Sequence, residues 1–193
     1  MAATLDKPKP PKKRWTYEEY YRLDDDRRYE LDDGELIPMT PPSPTPDHQD
    51  EALELAILLR AFVRARKLGK IYIAPLDVVF SQNDTAQPDI IFVSNANSGI
   101  VQKQCINGAP DLVVEIVSPG SIRRDRYDKL SKYARFRVKE YWIVDQANRS
   151  LEVLTLEGKL YAVFSSAEET GHVTSKVLPG LKVRLSSLFQ QAT

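Results

Sequence analysis

One cysteine, two histidines and eight glycines are all that this 193-residue chain offers of the residues from which many sites are built. Cys105 has no partner for an intramolecular disulfide, and with His48 and His172 it falls short of a zinc cluster. A disulfide scaffold and a structural zinc domain are therefore excluded. Glycine is too sparse for a phosphate-cradling loop, and no serine lies in a nucleophile-elbow motif. No apolar run approaches the roughly 18 residues that span a bilayer, and the N-terminal residues lack an apolar signal core. We therefore expect a cytoplasmic protein with no membrane partner. Net charge is missing as well, since 27 bases balance 27 acids with a pI near 6.8, which argues against simple coating of nucleic acid.

What is present is unevenly distributed. Trp15 to Glu54 holds thirteen acids and three bases, whereas Ile122 to Lys139 holds eight bases and two acids. A basic face can thus exist on a neutral molecule, although a solvated amphipathic helix would read the same way. With 42% hydrophobic residues the chain can bury one core. We expect a Pro/Lys-rich disordered tail over residues 1–14 and a single domain over 15–193.

Periodicity and punctuation predict the elements. Thr16 with Glu19 predicts a short capped helix ending near Leu23, and Asp33-Gly34 predicts a hairpin turn between Arg28–Leu31 and Glu35–Met39. Five prolines between Pro38 and Pro46 make a rigid connector. Asp47 then reads as the N-cap of a long helix to about Lys67, closed by Gly69. Three strands follow: Lys70–Ser81, interrupted at Pro75; Pro88–Val93; and Asp111–Val117. Ser94–Gly108 between the last two suits a loop or short helix. A basic amphipathic helix over Ser121–Phe136, packed through Tyr127, Leu130, Tyr133 and Ala134, leads to a fourth strand, Glu140–Asp145. A helix joining two strands makes a right-handed crossover, so the third and fourth strands should be parallel. The fold class is α/β (α+β): a mixed central sheet flanked by helices, with an N-terminal β-ribbon and antiparallel strands at Ser150–Leu156, Leu160–Ser165 and Val173–Leu178.

Two carboxylates stand out because they lie on apolar strands. Glu115, inside Leu-Val-Val-Glu-Ile-Val, would cost several kcal/mol to bury without a partner, and Asp89 begins the strand after Pro88. Side by side, two such acids suit a divalent metal with oxygen ligands, which points to metal-assisted hydrolysis. Asp111 shares the parity of Glu115 but sits roughly 13 Å along the strand, outside that site. Lys129 is the candidate cation, on one helix face with Asp125 and with Tyr133 a turn further on. Arg123, Arg124 and Arg126 follow Ser118-Pro119-Gly120-Ser121 and could meet phosphates. Glu30 in the ribbon and His48 at the start of the long helix are further cleft candidates. Each of these also has a plain structural reading, as a surface ion pair, exposed charge, cap residue or strand acid.

The order Tyr29-Glu30, His48, Gln87-Pro88-Asp89, Pro110-Asp111-Leu-Val-Val-Glu115-Ile-Val-Ser118-Pro119, Asp125/Lys129/Tyr133 and Glu140-Tyr141-Trp142-Ile-Val-Asp145 resembles the Uma-two family of restriction-endonuclease-like proteins over about Trp15 to Phe189. That resemblance implies the PD-(D/E)XK nuclease fold, whose helix, three strands, helix, strand core agrees with the order read above. It implies Mg²⁺ or Mn²⁺ held by Asp89, Glu115 and the backbone carbonyl of Ile116, with water attacking a DNA phosphodiester. The position two after Glu115 is Val117, a departure from the motif, so Lys129 would serve as a migrated lysine. Glu30, His48 and Tyr133 would complete the cleft, while Arg123, Arg124, Arg126 and Lys132 would contact phosphates. A homodimer would suit cutting both strands. Competing readings are an inactive nuclease-fold domain that binds nucleic acid, and a regulatory or interaction domain in which Lys129 neutralises Glu115.

Overall fold

The computed structural model describes residues 13–25, 27–39, 44–117 and 124–189, without the side chains of residues 124 and 125. Helix α1 (Tyr17–Tyr21) begins with a complete capping box between Thr16 and Glu19. Lys13 pairs with Glu19 at 3.3 Å and Arg14 pairs with Asp33, so these last two residues of the expected tail are tied to the fold. Strands β1 (Tyr29–Asp32) and β2 (Glu35–Pro38) form the expected ribbon. At its turn Asp33 and Gly34 have φ of 47° and 82°, the pair of left-handed residues a two-residue hairpin needs.

Helix α2 (Pro46–Ala65) is capped by Thr45, whose hydroxyl accepts from His48 N, not by Asp47. Pro46 explains the shift, because its fixed φ and missing N–H suit the first helical position. The helix ends through Lys67 in the left-handed conformation, with Leu68 N–H donating to Val63 O at 3.0 Å. Gly69 serves a different need from the expected cap. A Cβ there would lie 2.1 Å from the carbonyl oxygen of Val93, so only glycine lets the backbones approach.

The segment expected as one interrupted strand is two strands in different sheets. β3 (Gly69–Ile73) forms an edge of the main sheet, and β4 (Val78–Ser81) lies between β5 (Asp84–Ala86) and the short β7 (Ile106–Asn107) in a three-stranded sheet. Between them in sequence, β6 (Ile90–Ser94) enters the main sheet, and a single 3₁₀ segment occupies 95–100 of the expected loop. The main sheet is completed by β8 (Leu112–Val117), β9 (Glu140–Asp145), β10 (Ser150–Glu157) and β11 (Leu160–Glu168), in the order β11-β10-β9-β8-β6-β3. Among the described residues, β8 and β9 are the parallel pair of this sheet, as β4 and β7 are of the smaller one. Every residue of β8 and β9 is buried, as expected of strands covered on both faces. Strand β12 (His172–Thr174) pairs with β13 (Lys182–Arg184) before the short α4 (Leu185–Leu188), so the Val173–Leu178 strand is shorter than expected.

One face of the sheet, with Ile90, Phe92, Leu112, Val114, Ile116 and Trp142, packs on Leu55, Leu59 and Val63 of α2. Each fully buried leucine contributes about 1.5–3 kcal/mol. The opposite face, with Val113, Val117, Tyr141 and Ile143, packs on Tyr133. Tyr133 belongs to α3 (Leu130–Arg135), which continues from a π-helical segment at Arg124–Lys129. The wider winding breaks the expected helical period and leaves Tyr127 67% exposed instead of packed. No helix among the described residues is long and apolar enough to cross a membrane.

Candidate active site

The β6–β8 register carries the two acids on neighbouring segments. Its pairs run Phe92↔Leu112, Ile91↔Val113, Ile90↔Val114, and Asp89 and Glu115 are the residues that follow the last pair on either side. Asp89 precedes the ladder and turns across its end: its Oδ2 accepts from Ile116 N at 2.8 Å and lies 3.4 Å from His48 Nε2. The N-terminal end of α2 thus delivers His48 to the point where β6 begins and β8 passes.

Glu115 points toward α3. Its Oε2 lies 2.7 Å from Lys129 Nζ, and its Oε1 accepts from the Tyr133 hydroxyl. Lys129 also lies 3.9 Å from Glu30 Oε1, which accepts the Gln87 amide proton at 2.9 Å. Glu30, Glu115 and Lys129 are all buried, and the Asp89 side chain is the more accessible acid at 19% exposed. Among the sequence-expected residues, Asp89, Ile116 and His48 meet at one point. Glu115, Lys129, Tyr133 and Glu30 meet at an adjoining one, and the Glu115–Ile116 peptide links the two.

Burial alone would lower the His48 pKa. The hydrogen bond and charge of Asp89, then Glu51 and the Ile116 backbone, outweigh it and hold the imidazolium above its ordinary value. Tyr133 is driven well above the ordinary phenol value by burial, then by Glu115 and Glu30, so it stays a proton donor to Glu115.

The expected phosphate contacts are placed differently. Lys132 is buried, with Nζ donating to Leu31 O at 2.9 Å and Thr85 O at 3.1 Å and lying 3.3 Å from Asp32. It clamps the ribbon and β5 onto α3 and has no face for a phosphate. Arg126 bridges Glu152 at 2.9 Å and Asp145 at 3.3 Å, which neutralises it. Arg123 and the side chain of Arg124 lie outside the described residues. Asp111 is confirmed at the far end of β8, where it accepts from Ser94 N at 2.8 Å and pairs with Lys139 at 2.5 Å.

Sequence reading missed Glu51. It lies one turn after His48 on the buried stripe of α2, its Oε2 is buried with no hydrogen-bond partner, and burial pushes its pKa up to about 7. The signal was the spacing His48, Glu51, Leu55, Leu59, an inward stripe containing an acid. Gln87 and Asp77 were also missed. The Gln87 amide donates to Asp77 Oδ1 at 2.8 Å while its backbone holds Glu30.

The donors around this point are carboxylate and carbonyl oxygens with one imidazole, a set that suits Mg²⁺ or Mn²⁺. Two cis ligands at about 2.1 Å from such an ion stand about 3 Å apart, so the 3.4 Å between His48 Nε2 and Asp89 Oδ2 fits after a small shift. His48 Nδ1 is buried and unpartnered. Among the described residues, however, no three His, Cys, Asp or Glu side chains are already grouped as an ion site. Glu115 would have to turn partly from Lys129 to join them.

A model of the Uma2 (Uma-two) family, described as "Putative restriction endonuclease", matches residues 17–186. Comparison with curated proteins finds no match. Among solved structures, the chain is similar to a crystal structure described as "a putative nuclease belonging to DUF820" from Anabaena variabilis ATCC 29413. The TM-score is 0.72 at 19% identity, covering 90% of this chain and 97% of that one, a likeness of fold.

Proposed function

From the premise that the chain belongs to the Uma2 restriction-endonuclease family, we propose that it hydrolyses DNA phosphodiester bonds with Mg²⁺ or Mn²⁺ held by Asp89, Glu115 and the carbonyl of Ile116. The observation that carries this reading is the buried ammonium of Lys129, 2.7 Å from Glu115, where Val117 departs from the expected motif. The cation, when bound, neutralises phosphoryl oxygens and lowers the pKa of water. Lys129 orients the attacking water and stabilises charge developing on the phosphate. Tyr133 holds Glu115 in place, and Glu30, fixed by the Gln87 amide, holds Lys129. Loss of the His48 proton frees its nitrogen and Asp89 to act as donors, so activity rises with pH through the raised His48 value. A two-fold pair of chains would place one such centre on each DNA strand.

The engagement of both Glu115 oxygens, by Lys129 and Tyr133, favours a second reading: an inactive nuclease fold that binds nucleic acid or a protein partner. Plasmid nicking with Mg²⁺ or Mn²⁺ separates the two. We expect cleavage by the wild type and a loss of about a hundredfold or more in Asp89→Asn and Glu115→Gln. Binding without cleavage by the wild type, or cleavage that survives both substitutions, would refute the hydrolytic reading.

A further inference from the structure

Between Glu54 and Asp77 the chain carries five bases and no acid. Four of them, Arg60, Arg64, Lys67 and Lys70, line a groove of about 560 Å³ between the C-terminal half of α2 and β3. The spacing of four puts Arg60 and Arg64 on one stripe of the helix, and Lys67 follows in the left-handed turn just past its end at Ala65. All four are exposed, and among the described residues none of them is in an ion pair. The contrast with the other basic region is plain. Arg126, Lys129, Lys132 and Arg135 each meet a carboxylate. Four like charges around one concavity repel each other and raise the local concentration of an anion that fits between them.

The groove also has backbone donors. β3 ends the six-stranded sheet. Ala74 N donates to Asp89 O, and Asn95 N donates to Leu68 O. By the alternation of an antiparallel ladder, Gly69, Ile71 and Ile73 therefore turn their N–H groups to the open side. Toward the catalytic end the same stripe continues through Ile57 and Leu53, along an adjoining groove of about 450 Å³ that shares Arg60 and Ile71 and reaches Ile73. Ile73 is the residue before Ala74, so the path ends beside Asp89.

We propose that the basic groove binds the sugar-phosphate backbone of a nucleic acid whose scissile phosphate lies at Asp89. From His48 to Arg60 and to Arg64 is roughly 18 and 24 Å along the helix. At about 3.4 Å per nucleotide along a duplex strand, that is some five to seven nucleotides from the cut. The site is one that the sequence pattern around the acids gave no reason to seek, and it rests on the hydrolytic reading above only for its polarity along the DNA.

The test replaces all four cations (Arg60→Gln, Arg64→Gln, Lys67→Gln, Lys70→Gln) and measures fluorescence anisotropy with 8- and 24-base-pair duplexes in EDTA across a salt series. A charge-preserving variant (Arg60→Lys, Arg64→Lys, Lys67→Arg, Lys70→Arg) is the control, and equal melting temperatures establish folding. The glutamine variant should lose at least about tenfold in affinity for the long duplex, with a log–log salt slope smaller by about 3 to 4. The 8-base-pair duplex, roughly 27 Å long, is long enough to lie in the groove and should lose affinity as well, and the control should behave as wild type. An unchanged slope would overturn the proposal, as would displacement of the long duplex by millimolar inorganic phosphate or by polyglutamate of equal charge. Plasmid nicking is scored alongside. Groove-dependent binding without nicking sinks only the hydrolytic reading, whereas nicking with an unchanged slope sinks only the groove.

Discussion

Replacing Lys129 by Met removes an ammonium that lies 2.7 Å from Glu115 and 3.9 Å from Glu30, two carboxylates that are 3% and 1% exposed. At an effective dielectric near 20 those separations correspond to about 6 and about 4 kcal/mol of attraction. Most of this is offset by the cost of having desolvated the lysine in the first place. Breaking one side of a buried pair typically leaves a net loss of about 3–5 kcal/mol. For a chain of this size each kcal/mol is worth about 2–4 °C, so the melting temperature should fall by roughly 6–20 °C. Urea denaturation followed by tryptophan fluorescence measures the loss directly. In the double variant Lys129→Met/Glu115→Gln the buried carboxylate is gone too, and at least about 2 kcal/mol of the summed single losses should return. A second arm uses the cation. If Lys129 and a divalent ion compete for Glu115, Mg²⁺ or Mn²⁺ should stabilise Lys129→Met more than wild type, by about 2.7 kcal/mol at a hundred times Kd. A loss below about 1 kcal/mol in the single variant, or strict additivity in the double, would refute the electrostatic reasoning for this cluster.

Two other outcomes follow from the same geometry. Lys132→Met strips two carbonyl hydrogen bonds and the Asp32 pairing from the ribbon–helix junction, and should cost about 2–4 kcal/mol in urea denaturation while leaving the salt slope of DNA binding unchanged. A reduced slope would restore the phosphate role. Glu51 has a folded pKa of about 7 against an ordinary 4.5. The folded state therefore keeps a proton that the unfolded chain loses, and stability falls as pH rises through that window, by at most about 3 kcal/mol at 1.4 kcal/mol per pH unit. His48 adds in the same direction. Its value is raised, so its contribution is full below about 6.5 and is lost as pH climbs through the folded value. Glu51→Gln should then match wild type at pH 4 and exceed its stability by about 1–3 kcal/mol at pH 8. Equal denaturation midpoints at both pH values would show that Glu51 is not a buried acid in solution.

How far the site was legible depends on what each residue signals locally. Asp89 and Glu115 are conspicuous because a charge beside or within an apolar strand violates the pattern around it, although pairing of the strands leaves Asp89 turned to His48 and Glu115 to Lys129. Glu140 violates the pattern just as strongly, yet its carboxylate accepts from Trp142 Nε1, Ser175 Oγ and the amides of Lys176 and Val177, which ties down the C-terminal segment. Nothing in Glu-Tyr-Trp-Ile-Val-Asp distinguishes that structural acid from a catalytic one, because apart from Trp142 its partners lie more than thirty residues away. The phosphate contacts misled for a related reason. A run of bases marks a charged helix but not which of its members turn inward, and the π-helical start of α3 changes that phase.

The sequence by itself determined the helix, strand, helix, strand order of the central core, the capped first helix, the Asp-Gly hairpin, the parallel β8–β9 pair and the two conspicuous acids, Asp89 and Glu115. All of these follow from interactions within a few residues or from a fixed period. Only the tertiary structure decided that Lys132 is a clamp, that Arg126 is neutralised, that Glu51 lies buried beside His48, and that four cations of α2, the turn after it and β3 share a groove. Those outcomes depend on which distant carboxylate or carbonyl reaches each charge, and Coulomb attraction and desolvation act through space, across elements that the chain separates by tens of residues.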